Sequence, residues 1–209
     1  MRRGIDLRAD RRRDARAGRL VATVLAGLAV AGCAGSSAPS AIYDLTAVAS
    51  DVGGRTHRGV QILVPEPRAL KALDGDSIAV RPTAQTISYY GKVQWADRLP
   101  KLLQARVVQS FEDSGRVRAA GFPGEGLLIN YQLPIEIRHF QLESGGAPTA
   151  VIEVAVKLLN DATGTVVATR VFRAEVRAGG DTAGAAVTAL DAALKQILDE
   201  LVVWTVTAI

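Results

Sequence analysis

Two periodicities divide the chain. Between residues 129 and 177 apolar and polar side chains largely alternate, whereas over 97–114 and 183–204 apolar side chains return every three or four positions. The first pattern belongs to strands, the second to helices. Ile129, Tyr131, Leu133, Ile135 and Ile137 alternate with Asn130, Gln132, Glu136 and Arg138, as in an antiparallel sheet with one dry and one wet face. The phase changes at Arg138-His139, after which Phe140 and Leu142 hold the apolar positions; this predicts a β-bulge. Pro134 has no N–H to give to a ladder and predicts a sheet edge or a bulge nearby. As an edge, that strand would be open to pairing with another subunit. Residues 151–159 and 165–177 read as a hairpin closed by Asp161-Ala162-Thr163-Gly164.

The first helical stretch spans 97–114. Asp97 is its candidate cap, Pro100 falls in the first turn, and Gly115 ends it. Leu99, Leu102, Leu103, Val107 and Phe111 form its stripe. The second spans about 183–204, with Asp181 or Thr182 as cap. Its stripe of Val187, Leu190, Leu194, Ile197, Leu201 and Trp204 is widened by Ala193, Leu198 and Val202, as suits a core-facing helix. Residues 205–209 are left as a tail that extends a strand, docks on a neighbour or frays. Shorter strands are predicted at 42–45, 60–64, 77–81, 86–90 and 117–120. Pro65 and Pro67 stop the second of these. Residues 68–73 read as a link, Asp74-Gly75-Asp76 as a turn, and 49–59 and 122–126 as loops. The chain thus has α/β (α+β) content.

A different pattern opens the chain. Leu20 to Ala31 is a run of twelve apolar or small residues behind an arginine-rich lead, and it ends in Gly32-Cys33. That is the layout of a secretory signal, and it is shorter than the roughly 20 residues a membrane-spanning helix needs. Val30-Ala31-Gly32-Cys33 resembles a bacterial lipobox, in which cleavage precedes a cysteine whose thiol takes up diacylglycerol. Cys33 is the only cysteine, so no disulfide competes for it. The plainer alternative is an ordinary signal peptide with an incidental cysteine. The organisation expected is a signal over 1–32, a lipidated tether over 33–40 made of small and polar residues, and a domain over 41–209. Ala34 is not the aspartate that retains such proteins in the inner membrane, which favours the outer membrane.

Charge changes the picture little. Eight of the 25 basic and three of the 21 acidic side chains lie in residues 1–32, so the net +4 belongs to the signal and the remainder is near neutral. Nothing there supports nucleic-acid binding. His57 and His139 have no ligand-spaced partners. No HExxH, phosphate-binding loop or GxSxG motif is present. Asp74 with Asp76 reads as a turn, and Glu112 with Asp113 as a solvated helix end. The sequence predicts no catalysis, no metal and no cofactor.

Several stretches in a fixed order resemble the ABC-type transport auxiliary lipoproteins, the PqiC-like group. They are Ile42-Tyr43-Asp44-Leu45, the run Gln61 to Pro67, the run Leu73 to Pro82, Ile87-Ser88-Tyr89-Tyr90, Trp95-Ala96-Asp97-Arg98-Leu99-Pro100, Leu102-Leu103-Gln104, and Phe111-Glu112-Asp113-Ser114-Gly115. The resemblance implies a fold: a mixed, mostly antiparallel sheet with two main helices packed on one face. It also implies a role as a non-catalytic, lipid-anchored periplasmic subunit of an MCE-type transporter. Such systems move phospholipid or other hydrophobic molecules between the two membranes. The implied partners are an MCE-domain protein, through it a permease and an ATPase, and further copies of this chain. A stand-alone lipoprotein that binds a hydrophobic ligand or assists envelope assembly is the alternative. Tyr89, Tyr90 and Trp95 then have two readings. They pin a strand end to a helix start by aromatic packing, or they form a contact patch for the tunnel subunit.

Overall fold

The computed structural model describes residues 39–48 and 56–209. Cys33, the signal and most of the tether lie outside that range. Among the described residues are ten strands and two helices. In chain order they are β1 (Ala41–Tyr43), β2 (His57–Leu63), β3 (Arg68–Ala69), β4 (Ser77–Thr83), β5 (Thr86–Trp95), α1 (Leu99–Ser114), β6 (Val117–Gly121), β7 (Tyr131–Gln132), β8 (Ile135–Glu143), β9 (Thr149–Asn160), β10 (Val166–Arg177) and α2 (Ala183–Ala208). The class is mixed α+β. The long ladders, β8–β9, β9–β10 and β4–β5, are antiparallel, while the parallel pairings are short.

β7 and β8 are one strand interrupted at Pro134. Tyr131↔Asn160, Gln132↔Leu159 and Ile135↔Val156 keep the same register on β9 across the break. Along its other edge this strand carries β2, then β3, then β4. Pro134 is therefore interior, and the expectation of a sheet edge there is overturned. Its carbonyl accepts from Lys157 N–H at 3.1 Å, and Leu133 N–H donates to Leu63 O at 2.9 Å. The one donor Pro134 cannot supply is lost where the strand is already broken. The bulge appears as expected, between Ile137 and His139.

The alternating pattern explains the layers. Ile135, Ile137, Phe140 and Leu142 of β8, with Ile152, Val154, Val156 and Leu158 of β9, are buried. α2 packs over β8, β9 and β10, and α1 over β6. The opposite sheet face is polar, with Glu136, Arg138, Lys157, Arg173 and Glu175. β10 pairs only with β9 among the described residues. It is fastened to α2 by Phe172 against Trp204, edge to face at 5.6 Å. Arg170 stacks on Phe172 at 4.7 Å and pairs with Glu200 at 2.6 Å.

Helix ends depart from expectation in two places, and at α2 one of the two candidate caps is selected. α1 starts at Leu99 with Arg98 as N-cap residue, and Asp97 instead accepts from Arg98 N–H at 2.7 Å. Thr182 rather than Asp181 caps α2, accepting from Ala185 N–H at 3.3 Å. The tail 205–209 neither frays nor forms a strand. α2 continues to Ala208, because Thr205 and Val206 are buried and His57 Nε2 lies 2.9 Å from Val206 O. Gly115 ends α1 as expected, at φ 60° in the left-handed region.

Candidate functional site

The segment that leaves the tether is fastened to the sheet and to both helices. Ser40 donates through both N–H (2.5 Å) and Oγ (2.7 Å) to Lys92 O on β5. Arg106 of α1 reaches both carboxylate oxygens of Asp44, at 2.8 and 2.7 Å. Thr46 gives its N–H and its hydroxyl to Asp191 of α2, each at 2.8 Å. Val48 N–H reaches the buried Ser110 Oγ at 3.2 Å. Nine residues thereby touch the sheet and both helices. Lys195 also pairs with Asp191 at 3.0 Å. Burial pushes the Asp191 carboxyl up, but the bonds from Thr46 and Lys195 outweigh it and hold the group below its ordinary value.

Beside this segment lie the three aromatic residues singled out in the sequence. All three fall within β5, since that strand runs to Trp95 rather than ending at Tyr90. Trp95 is 1% exposed and meets Phe140 edge to face at 6.0 Å. At that burial its ring contributes packing to the core. The Tyr90 hydroxyl donates to Asp181 O at 2.8 Å, just before α2. Burial and the nearby Asp181 charge raise its pKa. Tyr89 is 46% exposed, and its hydroxyl donates to Ala72 O at 3.0 Å. The change of direction comes at Lys92, the only non-glycine residue with positive φ among those described. Its φ of 62° marks a bulge that shifts the β4–β5 register.

Exposed large apolar side chains occur at several places along the sheet, some of them toward its two opposite ends. β4 runs parallel to β8, and β9 antiparallel to it. The β4–β5 turn and the β9–β10 turn therefore point to opposite ends. Ile87 and Tyr89 lie on β5 toward the first turn, and Val166 and Val167 with Leu128 lie near the second, while Ile42 pairs at the other end of β5 and Leu70 follows β3. Asp161 N–H donates to Asn130 O at 2.9 Å, which holds the 128–130 segment against the second turn.

Between them the polar face carries an ionic lattice. Arg173 bridges Glu153 (2.9 Å) and Glu175 (2.7 Å), and Arg138 approaches Glu153 at 3.6 Å. The bond from Arg173 outweighs burial and lowers the Glu153 pKa. Arg98 joins Asp74 and Glu66, tying the turn after β3 to the start of α1. A cavity of about 390 Å³ opens by Arg81, Glu143, Thr149 and Glu175. Its mixed charges and open mouth do not make a lipid pocket. No group of three or more His, Cys, Asp or Glu side chains converges on a metal position among the described residues, and no helix there is long and apolar enough to cross a membrane. Sequence reasoning missed the fastenings of Asp44, Thr46 and Asp191. Their partners lie 62 to 145 residues away, and no local pattern signals them.

Residues 43–202 match the family described as the ABC-type transport auxiliary lipoprotein component. An uncharacterised protein of Bradyrhizobium diazoefficiens is 31% identical over 186 residues, covering 89% of this chain. The chain spans 50% of the length of that relative. The crystal structure of a Xanthomonas campestris protein labelled DUF330 superposes with a TM-score of 0.74 at 31% identity, covering 80% of this chain and 95% of that one. A crystal structure of a further uncharacterised protein shares the fold, with a TM-score of 0.64 at 15% identity over 81% of this chain and 99% of that one.

Proposed function

The chain belongs to the ABC-type transport auxiliary lipoprotein family, and from that premise we propose that it is a non-catalytic adaptor. Lipid on Cys33 holds it at the periplasmic face of the outer membrane, and its domain holds the distal end of an MCE-type transporter that moves phospholipid or other hydrophobic molecules. Family membership itself implies an envelope protein attached to a membrane and associated with ABC-type transport. The finer reading rests on one observation above others. The residues that follow the lipobox-like cysteine are clamped to β5, α1 and α2. A tethered adaptor needs that arrangement, because tension on the lipid must be resisted where the chain joins the domain. A single weakly held strand would peel away.

The transporter contact is assigned to the far end of the sheet. Leu128 is 84% exposed, and Val166 and Val167 stand beside the β9–β10 turn. Exposed aliphatic clusters of this kind mark interaction sites. Tyr89 and Tyr90 lie toward the tether, away from that contact.

The test is affinity purification of the full chain, expressed with its own signal alongside its transporter genes. Mass spectrometry should find acyl chains on the peptide that begins at Cys33, and an MCE-domain protein, a permease and an ATPase should co-purify. A free thiol on the exported product sinks the anchor. Acylated protein that brings down phospholipid at about one molecule per chain, and no transporter subunits, sinks the adaptor.

A further inference from the structure

We propose, resting on the anchoring at Cys33, that the outer face of β5 and the adjoining Leu70 turn lie against the phospholipid surface that holds the anchor. The length of chain leading to the domain and the point where it arrives carry the proposal. Cys33 is seven residues from Ser40, a reach of at most about 25 Å when fully extended. Ser40 is bonded to Lys92 O, three residues along β5 from Tyr89. The strand that receives the tether is thus the one that carries Ile87 and Tyr89, with Ile42 on the strand paired beside it.

Strand register puts those residues on one face. Ile42 pairs with Gln94 on β5, Gln94 with Ser77 on β4, and Ala79 with Tyr89. Ile87 and Tyr89 share a face because they are two apart. That face is opposite to the one where Tyr43 and Trp95 pair and Trp95 enters the core. The turn after β3 lies over the same face, since Tyr89 donates to Ala72 O. Leu70 is 75% exposed, Ile42 62% and Ile87 37%.

The chemistry suits a bilayer interface. A tyrosine ring with a hydroxyl at its rim sits well at headgroup depth, and aliphatic side chains reach past it. Lys71 and Lys92 are exposed alongside and can extend their ammonium groups to phosphates. Asp76, also exposed, offsets one of them, so apolar area rather than charge leads the approach.

The acylated full chain would be placed in vesicles of phosphatidylethanolamine and phosphatidylglycerol with brominated acyl chains. Tryptophan is introduced one site at a time as Tyr89→Trp, Leu70→Trp or Val171→Trp, the last on β10. The native Trp95 and Trp204 give a common background. The ring at 89 or 70 should be quenched roughly twofold or more over that at 171, as for a group within about 5–10 Å of the headgroup boundary. Protein that floats with the vesicles but shows equal quenching at all three sites overturns the face and leaves the anchor standing. Protein that does not float overturns the anchor and the face with it. A blue shift at 89 that grows with protein concentration in detergent identifies a second copy as the occupant, and also overturns the proposal.

Discussion

Thr46 and Asp191 are 145 residues apart in sequence, yet Thr46 gives both its backbone N–H and its hydroxyl to the Asp191 carboxylate, each at 2.8 Å. The contact joins the segment beyond the tether to the first half of α2. Asp191→Asn keeps the shape but weakens both bonds, and about 1 kcal/mol of stability should be lost. Urea denaturation of the wild type and the variant measures it, and an unchanged midpoint refutes the role given to the pair.

The same carboxylate sets a pH dependence. Its folded pKa lies below the ordinary 3.8. Its contribution is therefore complete at pH values well above 3.8 and fades as pH falls toward and through the folded value. Between pH 6 and pH 3 the wild type should lose more stability than Asp191→Asn, as read by thermal melts. Parallel curves for the two proteins would contradict this.

The ionic lattice on the wet face should matter less than its geometry suggests. Glu153 accepts from Arg173 while Arg173 remains 44% exposed. Glu153→Gln is expected to cost about 0.5 kcal/mol at low salt, and less at 1 M salt where screening is strong. A loss of several kcal/mol that is independent of salt would mean that the pairs are structural.

Trp95 and Tyr89 are six residues apart and should behave oppositely. Trp95→Ala empties a site that is 1% exposed and should cost about 3–5 kcal/mol. Tyr89→Ala should change stability by under about 0.5 kcal/mol while weakening attachment to vesicles. Equal melting shifts for the two variants would remove the distinction.

Replacing Cys33 with serine should leave a folded domain with the circular dichroism of the wild type, recovered in the soluble periplasmic fraction. Retention in membranes would count against acylation at that residue.

How far the chain could be read in advance follows the range of the forces involved. α1 with its Gly115 stop, the β9–β10 hairpin and the bulge at 137–139 were all legible. Each depends on residues within a few positions of one another: a stripe, a turn, a break in alternation. Pro134 misled because the local rule about its missing N–H takes no account of neighbours on both sides. The final turn of α2 was hidden for a similar reason, since it is held by burial of Val206 and by His57, a residue 149 positions away. Cys33 lies outside the described residues, so its reading still rests on its setting in the sequence. The fastenings at Asp44, Thr46 and Asp191 could not be seen, because an aspartate or threonine on a polar face looks the same with or without a distant partner.

The interrupted strand of residues 131–143 has a consequence for biogenesis. β2, β3 and β4 lie end to end along it, and β9 takes its other side. A polypeptide threaded outward from its amino terminus can close the local β4–β5 ladder early. The β2 and β3 backbones must wait until this shared template has emerged. For that interval the new chain is exposed to misassembly, and a chaperone that shields residues 57–69 would relieve the delay.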